Sequence, residues 1–212
     1  MHIADGILQL PVVAAGFAGA GAMTWYSLRQ IKRQGDPRER IPRAALLTAA
    51  FFAASLIHLP LPPAGVHLVL NGLLGVMLGW FAFPAILVGL FLQAVMFGHG
   101  GLTSLGVNSL ILGLPALLAW RLFHWRRDPE AGPTRTGWRG LLAGSGALAA
   151  SLLLFMAALL LGLPAAYSQE SALAALAVIT AAHLPLIVLE GIIAGLLVAY
   201  LQRVKPAILN GI

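Results

Sequence analysis

Long apolar runs are the feature that most limits what this chain can fold into. Seven of them alternate with polar stretches, at about residues 9–28, 44–60, 66–80, 84–98, 102–123, 138–163 and 171–202. A membrane-spanning helix needs about 20 mostly apolar residues, and only 9% of the 212 residues are charged. The sequence therefore predicts an all-α polytopic membrane protein of about seven transmembrane helices, with residues 1–212 forming a single integral membrane domain.

The basic residues indicate how the helices are oriented. All 13 lysines and arginines lie in two linkers, 29–43 and 121–139, or in the tail at Arg203 and Lys205. Positive charge in short loops marks the cytoplasmic side. Seven spans with the N-terminus outside and the C-terminus in the cytoplasm satisfy all of these charges. The net charge of +6 is thus explained by topology in a bacterial inner membrane, and we expect no nucleic-acid partner.

Two apolar stretches are less regular. The runs 66–80 and 84–98 are each short for a span of about 30 Å, so this pair spans twice or dips in and returns. Near the end of the chain, Pro185 lacks an amide donor, which predicts an outer helix near 171–182 and a span from about 185.

Five of the six histidines are predicted to lie at the outer side: His2, His58, His67, His99 and His183. Imidazole is the commonest protein metal ligand, and a chain without cysteine has no thiolate to offer. Such a cluster favours a metal site, although a single histidine at a membrane boundary is more often a hydrogen-bonded surface residue.

His2 differs from the other histidines because of its position in the chain. The N-terminus lacks the basic start of a signal peptide, so Met1 is expected to be retained. A chain that begins Met1-His2 offers its terminal amine, the His2 amide and the His2 imidazole as a tridentate chelate. A fourth nitrogen would complete a planar site of the kind that suits Ni(II) or Cu(II).

Several polar residues lie inside the apolar runs. Polar groups in a membrane are costly and mark functional paths, or they hold helices together. The expected residues around the site or along a path to it are Asp5, Asn71, Gln93, His99, Asn108, His183 and Glu190. For Glu190, a supporting hydrogen-bond role is favoured over direct metal ligation.

Four sequence blocks, the first of them at the N-terminus, carry a resemblance to a known family. They are Met1-His2-Ile3-Ala4-Asp5-Gly6, His67 to Gly75 (HLVLNGLLG), Phe97 to Thr103 (FGHGGLT), and Ala182 to Pro185 (AHLP) with Glu190-Gly191. Together they resemble the CbiM/NikM substrate-binding components of energy-coupling factor (ECF) cobalt and nickel transporters, over nearly the whole chain. The chain departs from many cobalt-type members in having Gly65-Val66-His67-Leu68 where those carry Ser-His-Pro-Thr.

The resemblance implies a metal-binding transport subunit. It places the planar metal ligands at Met1, His2 and His67, with nickel or cobalt as the transported substrate and no organic cofactor. It also implies a transmembrane coupling subunit, two ATP-binding subunits and a small membrane accessory subunit as partners in the lipid bilayer. The chain itself has no phosphate-binding loop, which agrees with an external ATPase.

Three questions stay open at this level: the function, the metal and the docking face. An intramembrane metalloenzyme is the main alternative function and a membrane scaffold without ligand is a third, while the choice between Ni(II) and Co(II) is not decided. The docking face for the coupling subunit is also open; small residues permit close helix approach. Three small-residue stripes are candidates: Ala14, Ala18 and Ala22; Ala45, Ala49 and Ala53; and Gly191 with Gly195.

Overall fold

Helices make up nearly all of the computed structural model, which describes residues 2–59, 66–164 and 169–210. Seven helices of eight or more residues occur in these ranges: α1 (Leu10–Arg33), α2 (Ile41–Ser55), α3 (Asn71–Leu78), α4 (Ala82–Phe97), α5 (Leu105–His124), α6 (Pro133–Gly162) and α7 (Gln169–Val204). They are followed by the short α8 (Ala207–Asn210), and β1 (His58–Leu59) pairs antiparallel with β2 (Val66–His67). The predicted all-α class is confirmed.

Four helical stretches in the described part of the chain are long and apolar enough to cross a bilayer. They are Asn71–Phe97, Leu105–His124, Pro133–Gly162 and Leu173–Val204. Helices suit such runs because a helix satisfies its own backbone hydrogen bonds without water. The chain is therefore a multi-pass membrane protein, as predicted.

The segment from His67 to His99 runs into the bundle and returns. It begins extended, continues as α3 and turns at Gly79, whose φ of 55° and ψ of −125° suit only glycine. At this turn Arg43 binds the carbonyl of Met77, and α4 then returns the chain so that the rings of His67 and His99 are 4.9 Å apart. Both ends of this segment therefore lie at the same end of the bundle, as either of the two possibilities for it requires.

The predicted break at Pro185 is wrong, because α7 runs without interruption from Gln169 to Val204 with Pro185 inside it. Proline removes only one helical hydrogen bond, and packing in a bundle compensates for such a loss.

The stripe of Gly191 and Gly195 is not a free docking face. A Cβ on Gly191 would lie 2.0 Å from Ser145 Oγ of α6, so this stripe packs within the chain, whereas the two alanine stripes on α1 and α2 are exposed.

Basic side chains gather at one end of the bundle. Arg127 donates to the carbonyl of Leu209 over 2.6 Å and Arg43 to that of Ile208 over 2.7 Å, which ties both basic linkers to the C-terminal segment. His124, at the end of α5, also contacts the Leu209 carbonyl. Asn108, near the start of the same helix, lies about 24 Å away at 1.5 Å per residue, so the two ends of the bundle differ in chemistry.

Candidate metal site

Three histidines meet at the end of the bundle opposite the arginines. His2 precedes α1, His67 ends β2 and His99 follows α4, and one ring nitrogen from each lies within 4.8 Å of those from the other two. The rings of His2 and His67 are nearly stacked, with centroids 5.0 Å apart, while His99 stands edge-on to both. Residues almost 100 positions apart in the sequence thus form one nitrogen-rich cluster.

The His67 ring is oriented by the adjacent backbone. Its Nδ1 lies 3.0 Å from the carbonyl oxygen of Leu68; because a carbonyl can only accept, we assign the proton to Nδ1. The lone pair is then on Nε2, which lies 3.2 Å from Nδ1 of His2. Neighbouring nitrogens in a planar site with bonds of about 2.0–2.1 Å are about 2.9 Å apart, so both atoms can bind one ion after a small shift.

The N-terminal segment is held in place through its backbone. The amide of Ile3 donates to Asn108 Oδ1 over 2.9 Å, and Asn108 Nδ2 donates to the Ile3 carbonyl over 3.0 Å. Ser104 Oγ donates to the same carbonyl. Ile3 itself is 1% exposed. We call these contacts of Asn108 and Ser104 the clamp on Ile3. The clamp fixes the residue next to His2, and therefore the direction of the His2 imidazole.

Asp5 forms a second anchor, on the loop before α5. Its carboxylate accepts hydrogen bonds from the backbone amides of Leu102 and Thr103 and from the Thr103 hydroxyl. The Thr103 hydroxyl, with these amides, lowers the pKa of Asp5 below its ordinary value. The loop can approach closely because residue 101 is glycine: a Cβ there would lie 2.1 Å from Asp5 Oδ1.

His2 is held in its neutral, metal-binding form. Burial lowers the pKa of His2 well below its usual value, because desolvation disfavours the imidazolium, and His67 and His99 act in the same direction. A neutral imidazole has a free nitrogen lone pair, and imidazole suits Zn, Cu, Fe and Ni. The cluster can therefore hold a divalent transition metal.

The remaining predicted residues make hydrogen bonds outside the three-histidine cluster. Asn71 is fully buried and donates to the Leu112 carbonyl and to Ser151 Oγ, and Gln93 is buried and donates to Ser55 Oγ. His183 bonds the Ile179 carbonyl in its own helix, outside the three-histidine cluster. Glu190 binds backbone amides next to His67.

His99 was expected around the site, and one of its ring nitrogens lies within 4.8 Å of ring nitrogens of His2 and His67. Met1, an expected ligand, lies outside the described residues. Ser104 was not among the expected site residues, but its spacing of four residues from Asn108 places both on one helix face, and both contact the Ile3 carbonyl.

A multi-pass helical bundle with a partly buried histidine cluster at one end indicates a class: membrane proteins that handle transition metals. Comparison with known proteins gives the family. Residues 2–208 match the CbiM model, described as the cobalt uptake substrate-specific transmembrane region. The chain belongs to the CbiM family, whose members are components of cobalt and nickel transport and not enzymes.

Individual relatives agree with this assignment. The cobalt transport protein CbiM of Sorangium cellulosum is 32% identical, over 99% of this chain and 95% of its own length. The fused nickel transport protein NikMN of Rhodobacter capsulatus is also 32% identical, over 99% of this chain and 64% of that longer protein. A crystal structure of a transition metal transporter has the same fold, with a TM-score of 0.74 and 24% identity over 96% of this chain and 93% of that one.

Proposed function

We propose that this chain binds nickel or cobalt with high affinity at the outer face of a bacterial inner membrane, as the substrate-specific subunit of an ATP-driven ECF-type transporter. The observation that carries the proposal is the approach of His2 Nδ1 to His67 Nε2, at 3.2 Å. In the proposed site, these two atoms would bind the metal together with the terminal amine of Met1 and the amide of His2, as four planar nitrogens. A ring nitrogen of His99, within 4.8 Å of ring nitrogens of the other two histidines, is an additional candidate ligand.

The distribution of charge supports the outward orientation. The arginines of both linkers and the C-terminal segment lie at one end of the bundle, and positive charge favours the cytoplasmic side. The histidine cluster lies at the other end and would face outwards, where the metal arrives.

The proposed partners are those that the family resemblance implies. Two ATP-binding subunits would supply the energy through a transmembrane coupling subunit, with a small accessory membrane subunit, and the sequence of this chain contains no phosphate-binding loop of its own. The exposed alanine stripes on α1 and α2 are the proposed docking faces.

A matched pair of proteins tests the metal site. One has the native N-terminus and the other has a single glycine before Met1, and Ni(II) and Co(II) binding to each is measured by calorimetry in detergent. The added residue converts the Met1 amine into an amide and moves His2 out of the second position, so high-affinity binding should be lost. Equal affinities would refute the amine-ligand site.

A further inference from the structure

A buried carboxylate lies in the middle of α7, beside the segment that carries His67. Glu190 is 2% exposed within an otherwise apolar stretch. An ionisable group at this depth is costly unless it is paired or hydrogen-bonded. Its location therefore requires a compensating interaction.

That interaction is with the backbone just after His67. One oxygen of Glu190 accepts the amide of Val69, and the other accepts the amide of Leu70 over 2.9 Å. Leu70 has a φ of 50° and a ψ of 18°, a left-handed conformation that is unfavourable for a residue with a Cβ. The carboxylate thus holds a segment that would otherwise relax.

The amide of Val69 and the carbonyl of Leu68 belong to the same peptide unit, which is planar. On one side of this unit the Leu68 carbonyl accepts the proton of His67 Nδ1 over 3.0 Å. On the other side the Val69 amide donates to Glu190. Fixing the amide therefore fixes the direction of the carbonyl, and the two hydrogen bonds polarise each other.

We propose that Glu190 is a positioning residue for the metal site, acting on His67 through the Leu68–Val69 peptide. It holds the proton on Nδ1, so that the lone pair on Nε2 faces His2. In many metal sites a carboxylate contacts the ligand histidine directly; here a peptide unit is interposed. This inference rests on the proposed function, because it assigns a role in the binding of that same metal.

A double-mutant cycle tests the pathway. Ni(II) affinity is measured by calorimetry for the native protein, Glu190→Gln, His67→Ala and the double variant. Glutamine keeps the shape but replaces one acceptor oxygen by a donor, so Glu190→Gln should weaken binding by about 10- to 100-fold, as loss of an outer hydrogen-bond partner does. In the His67→Ala background the same change should have no further effect. The matched control is Glu170→Gln, an exposed carboxylate at the start of the same helix, and it should bind like the native protein.

The visible absorption of bound Cu(II) gives an independent signature. The Cu(II) spectrum of Glu190→Gln should resemble that of His67→Ala. Both should show one nitrogen ligand fewer than the native protein, with the N-terminal chelate intact. If Glu190→Gln does not fold, Glu190→Asp replaces it in the cycle; it is too short to reach both amides and should give a smaller loss that again requires His67.

The possible outcomes distinguish failure of the positioning role of Glu190 from failure of the proposed metal-binding function. Equal losses with and without His67, or a native Cu(II) spectrum in Glu190→Gln, would overturn the positioning role while leaving the metal site intact. A native protein that binds no Ni(II) or Co(II) would overturn the proposed function, and this inference with it.

Discussion

Replacing Asn108 by leucine should release the N-terminal segment without touching a metal ligand. Leucine has a similar volume but cannot pair with the backbone of Ile3, so the two hydrogen bonds that hold Ile3, of 2.9 and 3.0 Å, are lost. The 3.1 Å bond from Asn108 Nδ2 to Ser104 Oγ is lost with them. The Ser104 hydroxyl keeps its bond to the Ile3 carbonyl. The perturbation is therefore local and partial.

The expected magnitude follows from those two hydrogen bonds. Each contributes a net of about 0.5–1.5 kcal/mol, so the docked segment should lose about 1–3 kcal/mol. Since 1.4 kcal/mol corresponds to a factor of ten, Ni(II) affinity should fall by about 5- to 150-fold, because His2 must be docked beside His67 to complete the site.

Calorimetry on Asn108→Leu and on a neighbouring control provides the test. In the control, Ser109→Ala, the lost hydroxyl is buried but bonds only the Leu105 carbonyl of its own helix, so metal affinity should not change. Hydrogen exchange at the Ile3 amide should accelerate in Asn108→Leu alone. Faster exchange at Ile3 with unchanged affinity would show that docking of the segment is not required for metal binding.

Three further outcomes are expected from Ni(II) titrations. His67→Ala should weaken binding far more than His124→Ala, whose ring contacts backbone carbonyls at the basic end; equal losses would remove His67 from the site. Gly101→Ala should weaken binding because its Cβ would lie 2.1 Å from Asp5 Oδ1, whereas Gly146→Ala, with nothing within 4 Å of its Cβ, should not. The lowered pKa of Asp5 means that its anchoring is complete above the unfolded value of about 3.9 and is lost only as pH falls through the folded value. Asp5→Asn should therefore weaken metal binding, relative to the native protein, by a similar factor throughout about pH 5.5 to 8. A difference in affinity between the two proteins that becomes smaller towards about pH 5.5 would contradict this.

The helices could be predicted from the sequence because apolar length alone nearly determines structure in a membrane. The places where that reasoning failed involve close packing. Pro185 indicated a helix end, yet α7 continues through it and packs closely on α6 around Gly191. The local sequence does not show which neighbouring helix packs against a proline or against a glycine.

The residues of the candidate site, and polar residues near them such as Asp5, Asn108 and Glu190, could be predicted from the sequence, but the particular contacts of these polar residues could not. His2 and His67 follow from the chelate chemistry of an N-terminal Met-His and from family resemblance, and the structure brings their rings together. The clamp on Ile3 was not predictable, because its partner in the contact is a backbone amide and carbonyl, which every residue possesses. The position of His99 depends on the turn at Gly79, which the short apolar runs left open.

The hydrogen bonds that hold α3 and the N-terminal segment also indicate which part of the candidate site can move when metal binds. α3 is fixed at both ends, by Glu190 at the amides before it and by Arg43 at Met77 and Ile208. A helix of eight residues is about 12 Å long, so His67 could not shift far without breaking one of these attachments. The N-terminal segment is not regular secondary structure up to residue 9 and is held by side chains of a neighbouring loop and helix. The metal should therefore bind to a largely preformed His67, with the adjustment made by the segment that carries His2.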